Sequence, residues 1–299
     1  MISQDAMNVM AFIEKMKVPK IHELPMELIR RGLADMMSFS KPPDGCKVEK
    51  VVAGGPEALW INASQNENQS AIFYLHGGGY TMGSPQTHLA FTGVLSELSR
   101  IRVLSVDYRL APENKFPAAL EDSVSAYEWL LSQGVPARSI VMGGDSAGGG
   151  LAFATLVELK NRGVRLPKAV FVISPWVDLA NTGETVLINA ILDPMITQPG
   201  LYYMAQLYAG DADVRSPLIS PLYANLSGLP PVLIHVGTRE MLLSDSRRMA
   251  RALQEAGVDC VIKEWEELFH VFHAVVSLPE ARAANEELAA FIQKHIKKK

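Results

Sequence analysis

Residues 140–150 read Ile140-Val141-Met142-Gly143-Gly144-Asp145-Ser146-Ala147-Gly148-Gly149-Gly150. The apolar run Ile140 to Met142 reads as a short buried strand, and Ser146 to Arg162 reads as a helix closed by Gly163, a residue suited to a left-handed cap. Between them lies Gly144-x-Ser146-x-Gly148. A sharp strand-to-helix turn forces its serine into a strained backbone conformation, and the glycines two before and two after leave room for the helix to pack close. The helix start also brings backbone N–H groups and a positive dipole end beside the hydroxyl. The five-residue pattern alone is weak evidence. Set between a strand and a helix it makes Ser146 a candidate nucleophile rather than part of a glycine-rich turn.

Outward from that turn, short apolar runs alternate with helical stretches. The runs are Ala71 to Leu75, Ile101 to Val106, Lys168 to Ile173, Pro231 to Val236 and Val258 to Glu264. Ala119 to Gln133 and Ser244 to Ala256 read as helices ending at Gly134 and Gly257, and a last helix after Pro279 aligns Leu288, Ile292 and Ile296. The alternation predicts βαβ units and a largely parallel sheet, so the fold class is α/β. Val48 to Ala53 and Leu59 to Ala63, broken by Gly54-Gly55-Pro56, predict a hairpin that makes the sheet mixed.

Two segments break the rhythm. Residues 1–45 are helical in pattern and hold seven of the 13 methionines, a flexible and polarizable residue suited to an adaptable apolar surface, although a plain packed helix pair reads equally well. Residues 181–222 are too long for an αβ connection and are expected to be partly helical around Gly200 to Tyr208. The expected organisation is an N-terminal segment 1–45, a core of 46–180 and 223–299, and an insertion 181–222.

Composition narrows the function classes. With 48% hydrophobic and 20% charged residues the chain can bury a large core. A net charge of −4, with no basic run beyond Lys297 to Lys299, leaves no footprint for nucleic acid. Cys46 and Cys260 stand far apart without a CxxC, which argues against a disulfide framework or a zinc site. The first residues lack a basic leader and apolar core, and no stretch approaches about 18 uninterrupted apolar residues, so a cytoplasmic protein without membrane insertion is expected. The sequons at Asn62, Asn68 and Asn225 carry no meaning without a secretion route.

Directly after the run Ala71 to Leu75 stands His76-Gly77-Gly78-Gly79-Tyr80. Three glycines end a strand badly unless the backbone itself is the working part. In a hydrolase the N–H groups of Gly78 and Gly79, joined by that of Ala147, would form an oxyanion hole, and His76 would be structural. A phosphate loop competes poorly, because neither G-x-x-x-x-G-K-[ST] nor G-x-G-x-x-G is present. Among seven histidines, His270 follows the last strand, where a loop would swing it toward Ser146 as the base. His270 and His273 form a stray H-x-x-H without a third ligand, so no metal is expected; His22, His88, His235 and His295 fit no motif. After Pro231 to Val236 come two acids, Glu240 and Asp245. Glu240, four residues past Val236, is favoured as the partner of His270, while Asp245 is better explained by the dipole at the start of a helix. The order serine, acid, histidine is that of α/β-hydrolases.

His76 to Gly79, Gly144 to Gly149, Asp107-Tyr108-Arg109-Leu110-Ala111-Pro112-Glu113, Phe116-Pro117-Ala118-Ala119 and Ser174-Pro175-Trp176 together resemble the bacterial hormone-sensitive-lipase-like (family IV) carboxylesterases. The resemblance spans about Ile72 to Phe272. It implies an eight-stranded α/β-hydrolase core with a helical cap built from residues 1–45 and 181–222, hydrolysis of short-acyl esters without a cofactor, and often a dimer joined through the last strand. Carried onto this chain, it makes Ser146 the nucleophile, His270 the base and Gly78, Gly79 and Ala147 the oxyanion donors. The family's usual Asp-Pro-Leu is here Glu240-Met241-Leu242, which leaves Asp245 open as the alternative acid. A receptor of the gibberellin type shares the fold but lacks the catalytic histidine, and retention of His270 argues against it. An amide or thioester hydrolase would share every motif.

Overall fold

The computed structural model describes residues 2–18, 20–63 and 69–296, so Met1, Asn68 and the lysines 297–299 lie outside the described residues. The two-residue period around Gly54-Gly55-Pro56 produces a hairpin of β1 (Lys47–Val52) and β2 (Glu57–Asn62), paired antiparallel with Val52 opposite Glu57. Then come β3 (Ala71–Leu75), β4 (Arg102–Asp107), β5 (Ile140–Asp145), β6 (Ala169–Ile173), β7 (Val232–Gly237) and β8 (Cys260–Trp265). Among the described residues these eight strands form one sheet in the order β1-β2-β4-β3-β5-β6-β7-β8. β2 runs antiparallel to β4, and every pair from β4 to β8 is parallel.

The helices are α1 (Gln4–Met16), α2 (Met26–Met37), α3 (Leu89–Ser99), α4 (Ala118–Ser132), α5 (Ser146–Asn161), α6 (Thr185–Ile188), α7 (Gln198–Ala209), α8 (Leu243–Glu255) and α9 (Pro279–Ile296). Alternation within β3 shows how they layer. Phe73 and Leu75 join a core with Tyr127, Leu130, Leu151, Met249 and Leu253 of α4, α5 and α8. Ile72 and Tyr74 join the opposite core with Phe91 and Leu95 of α3 and Leu288 and Ile292 of α9. Each such buried side chain contributes about 1.5–3 kcal/mol, so a slip of β3 by one residue would exchange two filled faces.

Most strand boundaries shift by one to three residues from the sequence expectation, and two of the shifts have a visible cause. β5 runs three residues past Met142, through Gly143 and Gly144 to Asp145. A Cβ on Gly143 would lie 2.0 Å from the Phe171 ring, so glycine is the residue that lets the strand continue beside β6. β8 starts at Cys260 rather than Val258, because the Val258 N–H bonds Leu253 O to close α8 beyond Gly257.

Residues 1–45 reach further than expected. Ala6 and Ile13 of α1 pack with Leu268, Phe269, Phe272 and Ala281, and the Ser3 N–H and Oγ bond Glu280 at 2.5 and 3.0 Å. α1 thereby buttresses the chain that follows β8. The next residues meet the insertion: Lys17 Nζ donates to Asp193 O, Ile21 abuts Gly200, and the His22 and Tyr203 rings lie 6.2 Å apart. Arg30 of α2 donates to Thr81 O and Ala111 O and pairs with Glu113. No helix among the described residues is long and apolar enough to cross a membrane.

Candidate active site

The parallel strands deliver their carboxyl ends to one edge of the sheet. There β3 runs into the glycine turn, β5 into Ser146, β6 into Ser174, β7 into the loop of Glu240 and β8 into the loop of His270. Ser146 has φ +52, a left-handed conformation that a residue with a Cβ adopts at a cost of about 1–3 kcal/mol. The flanking glycines make the turn possible. A Cβ on Gly144 would stand 2.4 Å from Gly148 O, and one on Gly148 would stand 2.1 Å from Leu75 O and 2.4 Å from His76 O.

His270 Nε2 lies 2.9 Å from Ser146 Oγ, and His270 Nδ1 lies 2.8 Å from Glu240 Oε2. Glu240 is fully buried and its other oxygen is occupied: Oε1 accepts from Ser174 Oγ at 2.7 Å and from the Gly237 N–H at 2.6 Å. With Oε1 saturated, Oε2 is left for the imidazole. Burial opposes a charge on His270, yet the hydrogen bond and charge of Glu240, helped by Asp193 and Asp145, hold its imidazole above the usual histidine value. A serine hydroxyl, an imidazole and a carboxylate therefore stand in one continuous line.

Asp245 is not part of that line. It sits in the first turn of α8, fully buried, but its Oδ2 accepts from the Val177 and Asp178 N–H groups at 3.0 Å each rather than from its own helix. This corrects the helix-dipole explanation. Burial first, then the nearby Asp178 carboxylate, push Asp245 up to about 7.

Three supports had little or no signal in the sequence. Ser174 belongs to a recognised tripeptide without an assigned role; it accepts from the Val271 N–H at 3.2 Å while donating to Glu240, so one hydroxyl joins the acid to the histidine loop. Asn189 and Asp193, inside the insertion, fix the Glu240 loop. Asn189 Nδ2 donates to Thr238 O and Glu240 O, and Asp193 Oδ2 accepts from the Met241 N–H. Nothing in their local spacing announced this, because their partners lie about 50 residues away.

The glycine turn lies beside the elbow. Gly78 has φ +120 and Gly79 φ +61, and neither amide N–H donates to an acceptor among the described residues. Ala147 is the second residue of α5, where helix amides have no partner of their own. Over the turn sits α7: a Cβ on Gly79 would meet Met204 Sδ at 2.3 Å, and the Tyr208 ring stacks on Tyr80 at 3.8 Å.

The other histidines stand apart from Ser146. His76 is buried against Tyr108 at 4.2 Å with Nδ1 on Gly77 O, and burial, then His88, bring it down to about 3. His273 is buried with Nε2 3.1 Å from His235 Nδ1, and burial holds both well below the usual value. His295 Nδ1 bonds Phe291 O at the end of α9. No group of three or more His, Cys, Asp or Glu among the described residues could hold a metal ion.

Residues 72–274 match the family model of the α/β hydrolase fold. An acetyl-hydrolase of Streptomyces hygroscopicus is 41% identical over 81% of this chain and 81% of its own length. A putative acetyl-hydrolase, LipR, of Mycobacterium tuberculosis is 32% identical over 88% of this chain and 86% of its own. Among solved structures, an esterase from the bacterial hormone-sensitive lipase family superposes with a TM-score of 0.95 at 38% identity, covering 98% of this chain and 99% of that one. The esterase EstE5, soaked with p-nitrophenyl butyrate, gives 0.94 at 38% identity, covering 99% and 100%. The chain belongs to the α/β-hydrolase fold family, within its hormone-sensitive-lipase-like, family IV esterases.

Proposed function

We propose that this α/β-hydrolase is a serine carboxylesterase that cleaves short-acyl esters through an acyl-enzyme. The observation that carries the reading is the line from Ser146 Oγ through His270 to Glu240, with separations of 2.9 and 2.8 Å. Ser146 Oγ attacks the ester carbonyl as His270 Nε2 takes its proton. The carbonyl oxygen becomes an oxyanion and draws the N–H groups of Gly78, Gly79 and Ala147, which have no competing acceptor among the described residues. Glu240 holds Nδ1–H and offsets the charge of the imidazolium, which then protonates the departing alkoxide. Water attacks the acyl-serine with His270 again as base, releasing the acid and restoring Ser146. The cycle uses no metal or cofactor.

The short-acyl preference rests on what covers the site. Residues 1–45 and 181–222 act as a cap, touching through Lys17 and Asp193 and through Ile21 and Gly200, and α7 sets Met204 against Gly79. The names of relatives, two acetyl-hydrolases, and the butyrate ester soaked into EstE5 point the same way. The reading extends to a homodimer through the outer strand β8, where Val261 is exposed; a concentration-independent monomer in sedimentation would remove that part.

The deciding experiment is a panel of p-nitrophenyl esters from acetate to palmitate, run on the native protein and on Ser146→Ala, with a sulfonyl fluoride adduct mapped by peptide mass. Highest kcat/KM at short chains, loss of turnover in Ser146→Ala and an adduct on Ser146 are expected. Labelling of another residue, or turnover surviving in Ser146→Ala, would overturn the mechanism; a maximum at palmitate would replace the substrate class.

A further inference from the structure

Behind the elbow lies a buried polar cluster that the mechanism leaves unused: Asp145, Tyr74, His76 and His88, all almost inaccessible to solvent. Asp145 immediately precedes Ser146 and caps α5 in extended conformation, yet its carboxylate makes no bond to its own helix. It reaches across to β3 and the turn after it. Oδ1 accepts from the Tyr74 hydroxyl at 2.5 Å and from the Gly77 N–H at 2.9 Å. Oδ2 faces His88 Nε2 at 3.4 Å, and His88 is itself fixed through Nδ1 by Thr87 Oγ1 at 2.9 Å. The contact explains the first of the three glycines. Gly77 has no positive φ, unlike Gly78 and Gly79, but a Cβ on it would lie 2.1 Å from Asp145 Oδ2. Gly77 is glycine because the carboxylate must come that close.

We infer that Asp145 is a positioning residue that clamps the glycine turn to the nucleophile, fixing the Gly78 and Gly79 amides relative to Ser146. The inference rests on the serine mechanism above. The two halves of that site come from different strands: Ser146 follows β5, and the glycine turn follows β3. The ladder between β3 and β5 ends at Leu75 and Gly144. Beyond it the Asp145 to Gly77 bond is the hydrogen bond that carries the register from the ladder into the turn. An oxyanion donor out of place by about 1 Å can cost about 10²-fold in the transition state while leaving the bound ester almost untouched. Loss of the clamp should therefore lower kcat and spare KM. A carboxylate is not required for this, since any acceptor at the Oδ1 position serves.

The test is steady-state hydrolysis of p-nitrophenyl butyrate by Asp145→Asn and Asp145→Ser, beside Ser146→Ala and with folding followed by circular dichroism. Asparagine keeps an acceptor in place of Oδ1, so kcat within about 5-fold of native is expected. Serine is too short to reach Gly77, and kcat lower by about 10²-fold with KM within about 3-fold is expected. Folded Asp145→Ser with near-native kcat, or with KM raised in place of a kcat loss, would overturn the clamp. So would a folded Asp145→Asn with kcat lower by about 10²-fold, a result that decides the matter even where Asp145→Ser does not fold. Should Ser146→Ala keep its activity, it is the serine mechanism that fails, and the two failures are told apart.

Discussion

Glu240 Oε2 approaches His270 Nδ1 at 2.8 Å because Ser174 Oγ and the Gly237 N–H have already taken Glu240 Oε1. The acid is aimed by exhaustion of its alternatives. In Glu240→Gln the amide must turn one donor toward a neighbour that also donates, and the imidazole loses its charged partner. A kcat loss of about 10⁴-fold is expected by analogy with other triad acids, roughly 5.5 kcal/mol of transition-state stabilisation. Asp245→Asn should keep kcat within a few-fold. Kinetics on the two purified variants check this, and the reverse pattern would exchange their roles.

The acid limb of kcat/KM should fall above the ordinary histidine value of about 6.5. In its proposed role as base His270 must be neutral, and Glu240, Asp193 and Asp145 favour its charged form against burial. Activity is thus lost on the acid side at a higher pH than for an unperturbed imidazole. The residual activity of Glu240→Gln should extend to lower pH than that of the native protein. A limb at or below 6.5 in the native protein would contradict the prediction.

Asp245 links stability to pH with a definite sign. Its folded value, up to about 7, stands above the unfolded value near 3.9, so between those limits the folded state binds more protons. Stability from this group is complete below about pH 4 and is lost as pH rises through about 7. Asp245→Asn, which imitates the protonated form, should gain melting temperature relative to the native protein between pH 5 and pH 8. A constant difference across that range in scanning calorimetry would refute it.

The buried histidines act oppositely. His76 and His235, down to about 3, and His273 bind fewer protons folded than unfolded. Their contribution is present above about pH 6.5 and is lost as pH falls toward their folded values. The melting temperature should drop between pH 6 and pH 4, and His235→Asn should reduce the slope. An unchanged slope would show that other groups control acid unfolding.

Gly148→Ala should destabilise by about 2–3 kcal/mol or abolish folding, because its Cβ would press on the carbonyl oxygens of Leu75 and His76. Gly163→Ala meets open space and suffers only from its φ of +68, about 1 kcal/mol. A Gly148→Ala no less stable than Gly163→Ala in urea unfolding would show that the elbow can relax.

The sequence by itself determined the α/β class, the hairpin before the parallel strands, the elbow at Ser146 and the caps at Gly134, Gly163 and Gly257. These features are local: periodicity, turn chemistry and glycine tolerance act over a few residues, and the chain carries them in plain view. It also drew attention to His270 and Glu240, since both follow predicted strands. Tertiary structure alone decided which oxygen of Glu240 meets the imidazole, that Asp245 serves the Val177–Asp178 backbone, and that Asn189, Asp193 and α1 brace the loops of the acid and the histidine. Those contacts join residues tens to hundreds of positions apart. Their strength lies in the saturation of buried donors and acceptors, which becomes defined only when the strands of the sheet have brought their ends to one edge.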